Sequence, residues 1–403
     1  MSRSINNPKG FRFSGIVAGI KETGKKDLAL IVSEVPAVAV GLFTSSLAPA
    51  APVELSRRVL RTGSCQAILV NSGNANACTG ARGLKDAARM QRETARLLGI
   101  EARRVAVCST GKIGVPLPID KMSKVLPRAV QGLAPKNFLQ AAQAILTTDQ
   151  FVKIGSFTGQ VRGKKYSLLG FAKGAGMIEP HMKTVSGLHA TMLAYFLTDL
   201  EIERKVLQPI FARAVELSFN RITVDGDMST NDTAILLANG QAGNGSVNAR
   251  ELVVFERELT KLMQQLACDM VRDGEGATKV VRIEVRGAKS DGQARQAAYA
   301  IGNSPLVKTA FYGSDPNWGR IVGAAARAGV AFDPDKVSVA FDSVVVARNG
   351  LATPPPNEKK AHQVMARPRF SVTVDFHLGT GSHWIWASDL THGYVTLNAH
   401  YRT

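Results

Sequence analysis

Residues 173–199 read KGAGMIEPHMKTVSGLHATMLAYFLTD, and this stretch combines reactive side chains with a strongly apolar run. Its lysine, glycines, proline and hydroxyls are unusual for a segment that only fills a core. Thr184 and Thr191 both qualify as the reactive residue. A hydroxyl held against the carbonyl of its own preceding residue can attack it, and the broken chain then begins with a threonine that has a free amine. Because an α-amine titrates near pH ~8, that threonine is a nucleophile that carries its own base.

The length and composition around this stretch limit the class of protein. At 403 residues the chain is too long for one ordinary core, so two domains or one large double-layered unit are expected. A hydrophobic content of 45% with 20% charged residues is typical of a soluble globular protein. The four cysteines form no CxxC pair, which favours a reduced, cytoplasmic compartment. The start lacks the apolar core of a signal peptide, and Pro36, Pro49 and Pro52 argue against a membrane span over residues 35–53.

The charge balance is strongly basic, with 50 Lys and Arg against 32 Asp and Glu. These basic residues are scattered, and aromatic residues are not interleaved with them. A solvated basic surface is therefore favoured over attraction of anionic metabolites, and a nucleic-acid interface comes last. GxGxxG, GxxxxGK[ST], HExxH and GxSxG motifs are absent from the sequence, so dinucleotide, P-loop, zincin and α/β-hydrolase interpretations lack their usual support.

Hydrophobic spacing predicts both strands and helices on either side of the central stretch. Short apolar runs between Phe11 and Phe43 predict strands. Apolar positions from Gly83 to Leu98, followed by Gly99, predict a helix with one buried face. The clearest helix is predicted over residues 249–271. The last residues, THGYVTLNAHYRT, alternate as a strand does.

Several polar turns are candidate site segments. A strand over Val105–Cys108 leads into STGKIG at 109–114, where backbone N–H groups could form an oxyanion hole or simply a turn. Glu275 lies between two glycines and could pair with a substrate ammonium, with a plain turn as the alternative. Residues 147–149 are a short polar segment of two threonines and one aspartate. The Asx-rich run at 218–240 suggests a hard-cation loop or Asx turns, and the EF-hand pattern is not met.

Ten stretches of the sequence together resemble the ornithine acetyltransferase family, also called the bifunctional glutamate N-acetyltransferase family of arginine biosynthesis. The resemblance covers nearly the whole chain. The stretches are GIVAGIK, NSGNANACTG, CSTGKIG, TTD, KGAGMIEP, ATML followed by TD, SFNRITVDGDMSTND, DGEGATK, DPNWGR and NAHYRT.

The resemblance implies an α+β fold with layers in the order helix, sheet, sheet, helix. It also implies a precursor that cuts itself into chains 1–190 and 191–403, which stay together as a heterotetramer of two α and two β chains. The new N-terminal threonine takes an acetyl group from N2-acetylornithine and passes it to glutamate. Neither a metal nor a redox cofactor is required, acetyl-CoA is a further candidate donor, and neither nucleic acid nor membrane is an expected partner.

The resemblance also carries residue roles to this chain. Thr110 and Gly111 resemble the oxyanion-hole pair of the family. The positions that resemble its substrate contacts are Thr147, Lys173, Thr191, Glu275, Asn398 and Thr403. The chemistry is consistent with amino-acid substrates, because a lysine and a glutamate offer complementary charges to a carboxylate and an ammonium.

The central stretch departs from the family pattern, because KTVSGLH at 183–189 stands where that pattern has no residues. Alignment from the left places Thr184 at the nucleophile position, and alignment from the right places Thr191 there. Thr191 is favoured because the small Ala190 leaves room for the strained turn that cleavage needs, and because ATMLAYFLTD matches the family. Cleavage is therefore predicted between Ala190 and Thr191.

Two other functions stay open from the sequence. A self-processing amidase or aminopeptidase would use the same threonine chemistry with water as the acceptor. A basic binding protein without catalytic activity would remain uncut and form a salt-sensitive nucleic-acid complex.

Overall fold

The computed structural model describes residues 5–44, 46–180, 182 and 192–400. These residues divide into two compact units. The first unit contains the described residues up to Asn220 together with Asp227–Ala267. The second contains Arg221–Gly226 and the described residues from Cys268 onward.

The described residues form strands and α-helices in mixed order along the chain. The strands are β1 (Phe11–Ile16), β2 (Leu28–Phe43), β3 (Ser64–Asn74), β4 (Val105–Lys112), β5 (Lys153–Val161), β6 (Lys164–Lys173), β7 (Leu193–Thr198), β8 (Ile222–Thr223), β9 (Thr233–Ala238), β10 (Val280–Ala288), β11 (Ser338–Phe341), β12 (Val344–Arg348), β13 (Leu351–Ala352), β14 (Arg369–Asp375) and β15 (Gly381–Ser388). The helices are α1 (Ala51–Arg61), α2 (Gly80–Leu98), α3 (Ile119–Gln131), α4 (Phe138–Ala144), α5 (Arg204–Glu216), α6 (Val253–Arg272), α7 (Asp291–Gly302), α8 (Pro305–Tyr312), α9 (Trp318–Ala326), α10 (Pro355–Met365) and α11 (His392–His400).

The first unit is built on a mixed sheet in the order β4-β3-β2-β9-β7-β6-β5, with β1 paired to β2. The strand pairs β3–β4 and β7–β9 are parallel, whereas β2 pairs antiparallel with β1, β3 and β9. The first predicted apolar run ends β1, whereas the two runs predicted as separate strands between Leu28 and Phe43 join into the long strand β2. Its register against β3 shifts between Val32 and Ala37, a stretch that contains Pro36, which has no N–H for a ladder bond.

Both faces of this sheet are buried. Along β2, Ala29 and Ile31 belong to one apolar cluster, whereas Leu28 and Leu30 belong to another. Successive residues of a strand point to opposite faces, so one strand contributes to two cores. The cluster that contains Leu28 also includes apolar residues of α2 and α3, such as Met90. Burial on both faces explains why β2 is apolar almost throughout.

The second unit is built on a mixed sheet in the order β13-β12-β11-β14-β10-β15-β8. Strand β10 pairs parallel with β14 and antiparallel with β15. Its apolar cluster joins strand residues such as Ile283 and Val372 to Ala297 of α7, Ala325 of α9 and Met365 of α10. The predicted α+β class is confirmed, with two mixed sheets that both carry helices.

Most long elements match the prediction, and the C-terminal one does not. Helices α2 and α6 occupy the two segments predicted as helical, and Gly99 ends α2 with a φ of 67°. The strand predicted for the last residues is wrong, because His392–His400 form α11. Thr391 precedes this helix and accepts a hydrogen bond from the N–H of Tyr394, which is an N-cap interaction. This local cap favours a helix over the strand that the alternating pattern suggested.

In the sequence, the predicted cleavage point lies between strands that belong to the first unit. Strands β7 and β9 follow residue 191 in the sequence, and they pair with β6 and β2, which precede it. Two chains produced by that cut would therefore share one continuous sheet. The division into chains 1–190 and 191–403 stays a prediction. Among the described residues, every helix is too short or too polar to cross a membrane.

Candidate active site

Thr110 and Gly111 lie near the end of β4, where its backbone comes very close to β3. Gly111 faces Gly73 in the parallel pairing and has a φ of 126°. A Cβ at Gly111 would overlap the carbonyl carbon of Gly73 and lie 2.6 Å from the backbone nitrogen of Asn74. Only glycine fits both this φ and this approach. The preceding Thr110 is buried.

Lys173, the last residue of β6, contacts Thr110. Its Nζ donates a hydrogen bond of 3.3 Å to Oγ1 of Thr110, which lies 63 positions away. Both side chains are buried. Because the Thr110 oxygen accepts from Lys173, its own O–H proton is directed to a different acceptor. The contact therefore gives Thr110 the orientation of a donor.

Asp149, near these residues, accepts hydrogen bonds from three other residues. Its carboxylate accepts hydrogen bonds from the N–H of Thr147 at 2.9 Å, the N–H of Gly174 at 2.8 Å and Nζ of Lys153 at 2.7 Å. The side chains of Asp149 and Lys153 are fully buried. Burial by itself would raise the pKa of Asp149, but the charges of Lys153 and Lys173 and the hydrogen bonds hold it well below its usual range. Asp149 is therefore a buried anion.

A second carboxylate, Asp27, organises the turn before β2. It is fully buried and accepts hydrogen bonds from the N–H groups of Ala18, Ile20 and Lys21. Burial lowers the pKa of Lys21 to about 8, although the charge of Asp27 acts in the opposite direction. The aliphatic part of the Lys21 side chain packs against Gly73. A Cβ added at Gly73 would lie 3.0 Å from Cγ of Lys21. Lys21 thus lies next to the close approach of β3 and β4.

In the second unit, Glu275 is held by α11. Asn398 donates a hydrogen bond of 2.9 Å to its carboxylate. Gly276 has a φ of 69°, and a Cβ there would overlap the backbone nitrogen of Tyr394. The Gly276 carbonyl also accepts from the Thr391 hydroxyl at 2.6 Å. The turn around Glu275 is therefore fitted directly against the start of α11.

Comparison with known proteins identifies the family. The family model described as "ArgJ family" matches residues 12–403. This chain belongs to the ArgJ family.

It is 47% identical to the arginine biosynthesis bifunctional protein ArgJ of Geobacter sulfurreducens, over 98% of this chain and 100% of that protein. It is 46% identical to the protein of the same name from Syntrophotalea carbinolica, over 98% of this chain and 99% of that protein. The solved arginine biosynthesis bifunctional protein argJ of Bacillus halodurans is 36% identical, with a TM-score of 0.48 over 50% of this chain and 96% of that chain. The predicted family is confirmed, and with it an acetyltransferase of arginine biosynthesis.

Within this ArgJ-family chain, the structure brings together two groups of the predicted site residues. Thr110 contacts Lys173 directly, and Asp149 links Thr147 to the end of β6 that carries Lys173. In the other unit, Glu275 contacts Asn398.

The remaining predicted positions lie outside the described residues. They are Ala190, Thr191, Thr403, the alternative Thr184 and the segment 183–189. Among the residues that are described, His, Cys, Asp and Glu form no cluster of three that could hold a metal ion. The roles of all the site residues stay predictions.

Sequence reasoning missed three residues that hold the ArgJ-family site in shape. The sequence indicated Asp149 only as part of the polar segment 147–149, and it gave no signal for Asp27. The third is Asn231, which is buried and donates to the carbonyl oxygens of Ala75 at 2.7 Å and Ser109 at 2.8 Å. Asn231 thus ties down the residue before Thr110. Its signal was the Asx-rich run, which acts here through hydrogen bonds rather than as a cation loop.

Proposed function

We propose that this chain transfers an acetyl group from N2-acetylornithine to glutamate in the cytoplasm, through an acyl-enzyme on Thr191. The observation that carries the proposal is the buried contact between Lys173 and Thr110 beside Gly111. Residues far apart in the sequence meet there in the combination that acyl transfer needs. They include a cation, a hydroxyl donor and a backbone segment that only glycine can occupy.

The proposed maturation precedes catalysis. The Thr191 hydroxyl attacks the carbonyl carbon of Ala190, the peptide C–N bond breaks, and the resulting ester is hydrolysed by water. The products are the carboxylate of Ala190 and a Thr191 with a free α-amine. That amine is the base for the second stage, because its pKa lies near ~8 in an unperturbed chain terminus.

In the second stage the Thr191 hydroxyl attacks the acetyl carbonyl of N2-acetylornithine and gives its proton to the α-amine. The C–N bond of the acetyl amide breaks, and ornithine leaves as the amine after it takes that proton. The amine of glutamate then attacks the acetyl-Thr191 ester and restores the free hydroxyl. Thr110 and the N–H of Gly111 would stabilise the oxyanion of each tetrahedral intermediate.

Charge complementarity supports amino-acid substrates. Lys173 offers a cation to a substrate carboxylate, and Glu275 offers an anion to a substrate ammonium. We also infer that the cleaved chains assemble as a heterotetramer of two α and two β chains. The sheet shared by elements on both sides of residue 191 supports the retention of both chains. Acetyl-CoA is a second candidate acetyl donor in this proposal.

Intact mass spectrometry and an acetyl-transfer assay together test the proposal. We expect two chains that split between residues 190 and 191, and N-acetylglutamate formed from N2-acetylornithine and glutamate. Thr191→Ala should abolish both the split and the transfer, whereas the matched variant Thr184→Ala should retain both. A split at 183/184 would move the nucleophile to Thr184. Release of acetate without N-acetylglutamate would instead indicate the amidase.

A further inference from the structure

We infer that Asp149 is a positioning residue for acyl transfer, which fixes Thr147 and Lys173 relative to each other through its buried carboxylate. The inference rests on the proposed function, because the substrate contacts of Thr147 and Lys173 belong to that proposal. Asp149 itself is assigned no contact with the substrate.

The geometry of the carboxylate carries the inference. One oxygen of Asp149 accepts from the N–H of Thr147 at 2.9 Å. The other accepts from the N–H of Gly174 at 2.8 Å and from Nζ of Lys153 at 2.7 Å. Thr147 lies in the turn before β5, and Gly174 follows Lys173 at the end of β6. One side chain therefore joins the backbones of two segments that each provide a predicted substrate contact.

The charge of Asp149 makes this bridge stronger than a neutral side chain could. Hydrogen bonds to a carboxylate are stronger than those between neutral groups, and both of its oxygens act as acceptors. An asparagine at this position has only one acceptor oxygen, so it cannot accept from Thr147 and Gly174 through separate oxygens. Its amide would also present N–H groups to one of the two backbone donors.

Lys153 supplies the charge that allows this carboxylate to remain buried. Its side chain is fully buried, and its Nζ lies 5.0 Å from the ring centroid of Phe151 as well as 2.7 Å from Asp149. A buried ion pair is often no more stabilising than well-packed apolar residues. Stability alone therefore does not require this pair, whereas the alignment of two substrate-contacting segments does require an acceptor at Asp149.

Two variants separate positioning from folding. In Asp149→Asn, we expect kcat/KM for acetyl transfer to fall about 100-fold, because a displacement near 1 Å has effects of this size. The loss should appear both as a higher KM, because Thr147 and Lys173 bind substrate, and as a lower kcat, because Lys173 also orients the Thr110 hydroxyl. Asp149→Asn/Lys153→Met removes one of the two buried cations whose charges act on Asp149, so the unfolding midpoint should recover in part while kcat/KM stays low.

Asp199→Asn is the matched control in the same sheet. Asp199 is also buried and accepts two backbone hydrogen bonds, from Lys9 at 3.0 Å and Ser167 at 2.8 Å. Ser167 lies six residues before Lys173 along β6, about 20 Å away at the rise of a strand. We expect the control to lose stability but to keep kcat/KM within about twofold of the wild type.

Kinetic constants are calculated per cleaved chain, with the cleaved fraction taken from intact mass spectrometry. Wild-type kinetics in Asp149→Asn would overturn the inference, and so would recovery of kcat/KM together with stability in the double variant. If Asp149→Asn does not fold, the double variant alone decides between these outcomes. A wild-type protein that transfers no acetyl group would overturn the proposed function itself, and the inference with it.

Discussion

Replacement of Gly111 by alanine tests whether the close approach of β3 and β4 is needed for catalysis. The new Cβ would lie 2.6 Å from the nitrogen of Asn74 and 2.7 Å from Cα of Gly73, and ordinary contacts begin at 3.4 Å. The carbonyl carbon of Gly73 would be closer still, and all three neighbours are backbone atoms, so a strand has to move by about 1 Å to relieve the overlap. A shift of this size near reacting atoms lowers rates by about 100-fold. Loss of one oxyanion donor has a similar or larger effect, about 100- to 1000-fold.

Gly114→Ala separates this overlap from backbone strain. Gly114 also has a positive φ, of 77°, but a Cβ there would meet nothing within 4 Å. Gly114→Ala carries the left-handed backbone cost of about 1–2 kcal/mol, whereas the φ of 126° at Gly111 lies outside the left-handed region that L-residues can adopt and costs more. Only Gly111→Ala adds the collision with β3, so it should be the less stable of the two. We expect Gly114→Ala to retain kcat and Gly111→Ala to lose at least about 100-fold.

The assay is formation of N-acetylglutamate from N2-acetylornithine and glutamate, with kcat expressed per cleaved chain. Guanidinium unfolding followed by circular dichroism gives the stability of both variants. Intact mass spectrometry shows whether cleavage still occurs, so that a maturation defect is not mistaken for a catalytic one. A kcat for cleaved Gly111→Ala within threefold of that for Gly114→Ala would refute the assignment of this backbone to the oxyanion hole.

Two further predictions concern Lys21 and the turn at Gly276. Burial lowers the pKa of Lys21 from 10.5 to about 8. Between these pH values the folded state binds fewer protons than the unfolded chain, so the free energy of unfolding rises with pH across this window. Lys21→Met should remove that rise and stabilise the protein by about 1–2 kcal/mol at pH 7, after allowance for partial exposure; unfolding midpoints at pH 7 and pH 10.5 check this. Gly276→Ala should displace α11 from the Glu275 turn, because the added Cβ overlaps the nitrogen of Tyr394, and raise KM about 10-fold. Gly323→Ala, whose Cβ meets nothing within 4 Å, is its kinetic control.

The sequence predicted the long elements because their signals are local. Helices α2 and α6 have apolar residues at helical spacing over several turns, and no neighbour is needed to recognise them. The nine-residue helix α11 has too few turns for such a signal. Its N-cap, Thr391, also binds the carbonyl of Gly276, which lies 115 positions away. That contact links α11 to the rest of the second unit and could not be anticipated from spacing.

The candidate site divides in the same way between local and distant signals. The residue types of Thr110, Gly111, Lys173 and Glu275 suit acyl transfer between amino acids, and the resemblance to a family supplied their roles. The requirement for glycine at Gly111 comes from the backbone of β3, so the spacing of STGKIG by itself favoured a simple turn. The residues that suit the chemistry could therefore be named from the sequence, but the reason for their geometry could not.

Buried charge is the feature of this site that a sequence conceals most completely. In a chain with 50 Lys and Arg, Lys153 and Lys173 look like two more surface cations. Both are buried, and both act on the buried carboxylate of Asp149. Lysine and aspartate are rarely buried unless they are paired, so such a group has to be explained by what it holds in place. Here the carboxylate holds the two segments that carry Thr147 and Lys173, so the spacing of these two predicted substrate contacts depends on Asp149 as well as on the contacts themselves.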